Sequence, residues 1–127
     1  MILWLTWRGD EPNDSDMVLF FSIIKDYRRV EEILLAFVEN DITGATVLEG
    51  QGMGQILGNL PIFADMRGMF PGSSHDSQII FSVLDENKAQ RAMTLCEEIV
   101  GDMSLAGHGV CFTVPLISAM GVAAPLK

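Results

Sequence analysis

Thr43-Gly-Ala-Thr-Val-Leu-Glu-Gly-Gln-Gly-Met-Gly-Gln55 is the stretch on which the reading of this chain turns. Its first part carries β-branched Thr46 and Val47 and reads as a strand. Its second part has glycines at 50, 52 and 54, where the backbone bends or lies close to another group. A strand that runs out into such glycines makes a ligand edge. The plainer alternative is a flexible strand end that holds nothing, and on its own the stretch favours that alternative.

Upstream, Met17-Val-Leu-Phe-Phe-Ser-Ile-Ile24 is apolar without alternation, the pattern of a strand in the middle of a sheet. Asp26 offers an N-cap. Val30, Ile33, Leu34, Phe37 and Val38 then fall at the spacing of one helix face, with Arg28, Arg29, Glu31, Glu32 and Glu39 outside. Asn40 and Asp41 close that helix, and Gly44 lets the chain turn into the Thr46 strand. Downstream, Gln78–Leu84 reads as a third strand. Asp85 caps a second helix whose face is Ala89, Ala92, Met93, Cys96, Ile99 and Val100, and Gly101 ends it. Val110–Val114 forms a fourth strand, stopped by Pro115. The order β-α-β-β-α-β predicts an α+β, ferredoxin-like sandwich: a four-stranded antiparallel sheet with two helices on one face. The other face needs cover, and self-association supplies it.

Between Gly54 and Gln78, Gly58, Pro61, Gly68, Pro71 and Gly72 fall irregularly, so this segment reads as a long loop. Ile56, Leu57, Leu60, Ile62, Phe63, Met66, Met69 and Phe70 make it more apolar than a solvated loop. It either folds back on its own domain or oligomer, or it binds a partner. Residues 1–16 open on an apolar run with Trp4 and Trp7 and continue as an acidic stretch broken by Gly9 and Pro12. They read as an N-terminal extension and linker, with the domain proper at 17–127.

A chain of 127 residues fits one domain. Its net charge is −9; without the first sixteen residues the 17 acids fall to 13 and the 8 bases to 7, leaving −6. Scattered bases on an acidic protein exclude a nucleic-acid partner. No apolar run reaches the ~18–20 residues of a membrane span, and the opening run makes a poor signal peptide, so a cytoplasmic protein with no membrane insertion is expected. Cys96 and Cys111 read as reduced, buried thiols, with a disulfide or metal pair as the alternative. His75-Asp76 and His108 are the candidates for acid–base or metal work, and Asp102 could join them, but their spacing demands no metal and none is assigned. No catalytic or phosphate-cradling motif is present, and no enzyme activity is expected.

Ser22-Ile-Ile-Lys25, Ile42-Thr-Gly-Ala-Thr-Val47 and Gly52-Met-Gly54, in this order and spacing, resemble the first half of the PII signalling proteins, which act in nitrogen regulation. Gly107-His-Gly109 and Phe112-Thr-Val-Pro115 resemble that family's Gly-Asp-Gly-Lys turn and the end of its last strand. The resemblance covers about Met17 to Ile117. It implies a homotrimer with its sheets inside and ligand sites in the clefts between subunits. The loop at 55–77 would be the T-loop that reaches transporters, enzymes or regulators, through Phe63, Met66, Arg67 and Phe70. Thr46, Gly52, Met53, Gly54 and Gln55 would form the T-loop base of the ligand site. Gly101, Ser104, Gly107, His108 and Gly109 would form the facing B-loop of a neighbour, and ligand would act by shifting the T-loop between shapes.

Departures narrow the ligand. Val110 stands where the family has a lysine, Gly121 and Ala123 where it has arginines, and His108 where it has an aspartate. A triphosphate would meet an acidic protein with few cations, so ATP is a doubtful ligand, and a monophosphate nucleotide or a small carboxylate fits better. The tyrosine that some members modify is missing; Tyr27 lies outside the loop. Two other readings stay open: a ligand-independent interaction module docking on a transporter, and a metal-binding protein of the related CutA kind using His75 and His108.

Overall fold

The computed structural model describes residues 17–62, 76–105 and 108–122. The chain runs β1 (Met17–Ile24), α1 (Val30–Glu39), β2 (Thr46–Gly50), α2 (Met53–Gly58), β3 (Ser77–Asp85), α3 (Glu86–Val100) and β4 (Gly109–Pro115). All strand pairings are antiparallel, in the order β2-β3-β1-β4. This is the ferredoxin-like α+β arrangement expected from the element order.

The apolar run of β1 lacks alternation because both of its faces meet apolar neighbours. Val18, Phe20 and Ile24 are buried on one side, while Leu19, Phe21 and Ile23 are half-buried on the other. On the inner side Phe37 of α1 meets Phe20 edge-on at 5.8 Å between ring centroids. Ala89, Ala92 and Cys96 are wholly buried along α3, where small side chains let the helix lie close to the sheet.

Both helix ends of α1 follow local chemistry. Asp26 accepts from the Arg28 backbone N–H at 3.1 Å and starts a 3-10 turn, Tyr27–Arg29, ahead of the α-helix. At the other end the Ile42 N–H bonds to the Phe37 carbonyl and the Asp41 N–H to that of Val38, with Asp41 at φ 62°. This is a Schellman closure whose apolar member, Ile42, is buried. The helix is therefore closed at Asn40 and Asp41, as expected, with Asp41 as the left-handed residue of the closure. Val38, placed on the inner face by its spacing, is exposed. The helix meets the core along Ile33 and Phe37, and one residue further on is a rotation of about 100°.

The largest correction concerns the start of the long loop. Met53–Gly58 is a short helix, with Gly52 extended at its N-cap and the Asn59 N–H closing it on Ile56 and Leu57. Two glycines in six residues argue against a helix by propensity, which hides it in the sequence.

Asp85 caps α3 by accepting from the Lys88 N–H at 2.8 Å. Asp85→Ala is expected to lower stability by about 1 kcal/mol without altering assembly, as read by urea denaturation and gel filtration. At the far end Gly101, at φ 103°, stops the helix as expected.

The outer face of the sheet carries no helix among the described residues. Phe21 stacks between Phe81 and Phe112, at 6.4 and 5.1 Å. By register, Ile23 with Ile79 and Val110, and Leu19 with Val83 and Val114, extend the same apolar surface. No helix among the described residues is long and apolar enough to cross a membrane.

Candidate functional site

Antiparallel pairing brings four strand ends to one rim. Gly50 ends β2 opposite Ser77, which starts β3, and Ile24 ends β1 opposite both Gln78 and Gly109, which lies at the start of β4. The expected T-loop base and B-loop thus share one end of the sheet. They hang from its two edge strands, however, three strand spacings or about 14 Å apart.

At the β2 edge the glycines give close approach rather than bending. A Cβ on Gly50 would fall 2.9 Å from Cδ1 of Ile79, and one on Gly52 would fall 3.2 Å from Nζ of Lys25. Neither glycine has a left-handed φ. Lys25 follows directly on β1, and its ammonium donates to the Ser77 hydroxyl at 2.9 Å. It forms no ion pair among the described residues. Gln55, on α2, donates its amide N–H to the Asp76 carboxylate. Its Oε1 is buried without a partner. Gln55 Oε1 is thus an orphaned acceptor that a ligand donor can complete, and the Lys25 ammonium has N–H donors beyond its bond to Ser77.

At the β4 edge the turn after α3 closes on itself. The Asp102 carboxylate accepts from both the N–H and the hydroxyl of Ser104, at 2.9 and 2.7 Å, and these bonds hold it below its usual pKa. Ser104 is therefore committed to the turn. The His108 ring packs against Gly101, 3.7 Å from where a Cβ would sit, and its Nδ1 is buried without a partner. Gly109, at φ 130°, presses its α-carbon onto the Ile23 carbonyl.

Among the expected site residues, Gly52, Met53, Gly54 and Gln55 stand together at the β2 edge, and Gly101, Ser104, His108 and Gly109 at the β4 edge. Thr46 does not join them. It starts β2, opposite Phe81 on the outer sheet face, about 13 Å along the strand from Gly50. Gly107, His75 and the partner-loop residues Phe63, Met66, Arg67 and Phe70 lie outside the described residues. Among the described residues no three His, Cys, Asp or Glu side chains come together as a metal set.

Lys25 is the residue that sequence reasoning missed as a site member. Of the described bases, Arg28 and Arg29 pair with Asp26 and Glu32, Lys88 reaches the Asp41 carbonyl, and Arg91 reaches Asn40. Lys25 alone stands at the rim. The signal in the sequence was a single base straight after an apolar strand.

No protein-family model and no curated protein matches the sequence. Solved structures do match. A crystal structure of Arabidopsis thaliana PII bound to citrate aligns with a TM-score of 0.55 at 17% identity, over 86% of this chain and 85% of that one. A functionally unknown protein from Pediococcus pentosaceus aligns with a TM-score of 0.55 at 10% identity, over 83% of this chain and 96% of that one. The chain has a PII-like fold, and at these identities the likeness concerns the fold alone.

Proposed function

We propose that this chain is a PII-like regulatory protein without enzymatic activity, a cytoplasmic homotrimer. It senses a small anion at the clefts between subunits and signals through the segment at 55–77. The observation that carries this reading is the Lys25 ammonium. It is one cation, held by Ser77 against Gly52 and close to where the T-loop base begins. One ammonium with two free N–H donors matches a carboxylate or a single phosphate; it does not match three or four phosphate charges in a protein of net charge −9. The citrate on the Arabidopsis PII is a carboxylate ligand on the same fold. The 14 Å between the two rim groups supports a site shared between copies, with the apolar sheet face as the surface on which they meet. A bound anion whose own O–H or N–H donates to Gln55 Oε1 would act on α2, the first turn of the signalling segment, by favouring one of its shapes.

Calorimetric titration with ATP, ADP, AMP, cyclic AMP, bicarbonate and citrate tests the ligand class. AMP or a small carboxylate should bind at least tenfold more tightly than ATP, and micromolar ATP binding would overturn the reading. Lys25→Gln is expected to weaken the preferred ligand by roughly 10- to 100-fold, the range for a hydrogen bond to a charged group, with less than about 1 kcal/mol lost in stability. Unchanged affinity in that variant would remove Lys25 from the site.

A further inference from the structure

Cys96 and Cys111 stand on the two stems of the turn between α3 and β4, and the fold brings them face to face. Cys96 is wholly buried on the inner side of α3, while Cys111 is half-buried on β4 and packs against the same core. Cys111 lies opposite Ser22 in the β1–β4 register. The Cys96 thiol contacts both Ser22 and Cys111. Ser22 is itself fixed, with its hydroxyl donating to the Ile80 carbonyl at 3.3 Å. Three elements thus converge on two free thiols.

The pair is asymmetric in a way that suits oxidation. Hydrogen bonding with Cys111, together with burial, pushes the Cys96 thiol up. The same bond holds Cys111 below its usual value, against the opposing effects of burial and the Glu97 carboxylate. Cys111 is also the sulfur closer to solvent, and so the one that a small oxidant reaches first.

We propose that Cys96 and Cys111 form a disulfide modification site, oxidised by a peroxide, that staples the two stems of this turn. The Cys111 thiolate attacks one peroxide oxygen, the O–O bond breaks, and the departing hydroxide takes a proton to become water. The resulting Cys111 sulfenic acid is attacked by Cys96. An S–S bond forms, the S–O bond breaks, and hydroxide leaves with the proton that Cys96 gives up. Two thiols and one hydrogen peroxide yield one disulfide and two waters, each sulfur losing one electron and the peroxide gaining two. The closed loop of about 15 residues includes His108 and Gly109, so oxidation restrains the B-loop edge whatever the ligand is.

The test uses the full chain, reduced and then freed of reductant, with one equivalent of hydrogen peroxide. The expected product has an intact mass lower by about 2 Da, the two hydrogens lost in forming a disulfide. Digestion should release one peptide pair joined through Cys96 and Cys111 that dithiothreitol separates, and Tm should rise by roughly 5–10 °C. Cys111→Ser should fold and show neither the mass loss nor the Tm rise. The proposal is overturned if both thiols still react with iodoacetamide after peroxide, if the product is a covalent dimer, or if oxygen adds without loss of hydrogen.

Discussion

Phe112→Glu is expected to turn the proposed trimer into a folded monomer of 13.9 kDa, as read by analytical ultracentrifugation. In the single chain Phe112 is exposed on the outer face of the edge strand β4, stacked on Phe21 at 5.1 Å and 23° between ring planes. A carboxylate there stands in water and disturbs little of the core, because Val18, Phe20 and Ile24 point to the opposite face. In a trimer whose sheets line the inside, the same carboxylate would enter an apolar interior three times over without a cation. Each buried, unpaired charge costs several kcal/mol, and threefold symmetry repeats the penalty in every copy. The loss should therefore be complete at micromolar concentration, with Tm of the monomer governed by the retained inner core. A Phe112→Glu protein that still sediments as a trimer, or a native chain that sediments as a monomer, would sink the proposed assembly.

The fold is legible in the sequence where burial follows a simple period. Met17–Ile24 reads as a central strand because both faces of β1 are apolar, and Asp85 and Gly101 mark the ends of α3 by capping chemistry alone. Legibility fails where tertiary contacts override local preference. Gly54 and Gly58 disfavour a helix, yet Met53–Gly58 is helical, anchored by the bond from Gln55 to Asp76 across 21 residues. Val38 has the right spacing for the core and the wrong rotation for this packing. The site is only half legible for the same reason. Glycines 50 and 52 announce close approach, but the group that approaches Gly52 is Lys25, brought there by the pairing of β1 with β3. Nothing in a single sequence states that Lys25 meets Ser77, 52 residues away, or that Cys96 meets Cys111.

Gly109→Ala is expected to lower stability by about 3 kcal/mol or more, with no ligand involved. Two independent causes act at this position. Its φ of 130° lies in a region that a residue with a Cβ scarcely enters, and the added methyl would penetrate the Ile23 carbonyl oxygen. Ile23 cannot retreat, since it sits in the central strand β1, paired with Ile79 on one side and Val110 on the other. Gly121→Ala separates the two causes. Gly121 also has a left-handed φ, 81°, but nothing lies within 4 Å of an added Cβ, so only the conformational cost of about 1 kcal/mol applies. The difference between the variants in urea denaturation is the clash with β1. The resemblance to PII assigns Gly109 to ligand binding, whereas its geometry gives it a structural duty first: it lets β4 start against the end of β1, and so places His108 at the rim. If Gly109→Ala instead folds with less than about 1 kcal/mol lost and fails only in ligand binding, the glycine serves the ligand and the close contact with Ile23 is not what selects it.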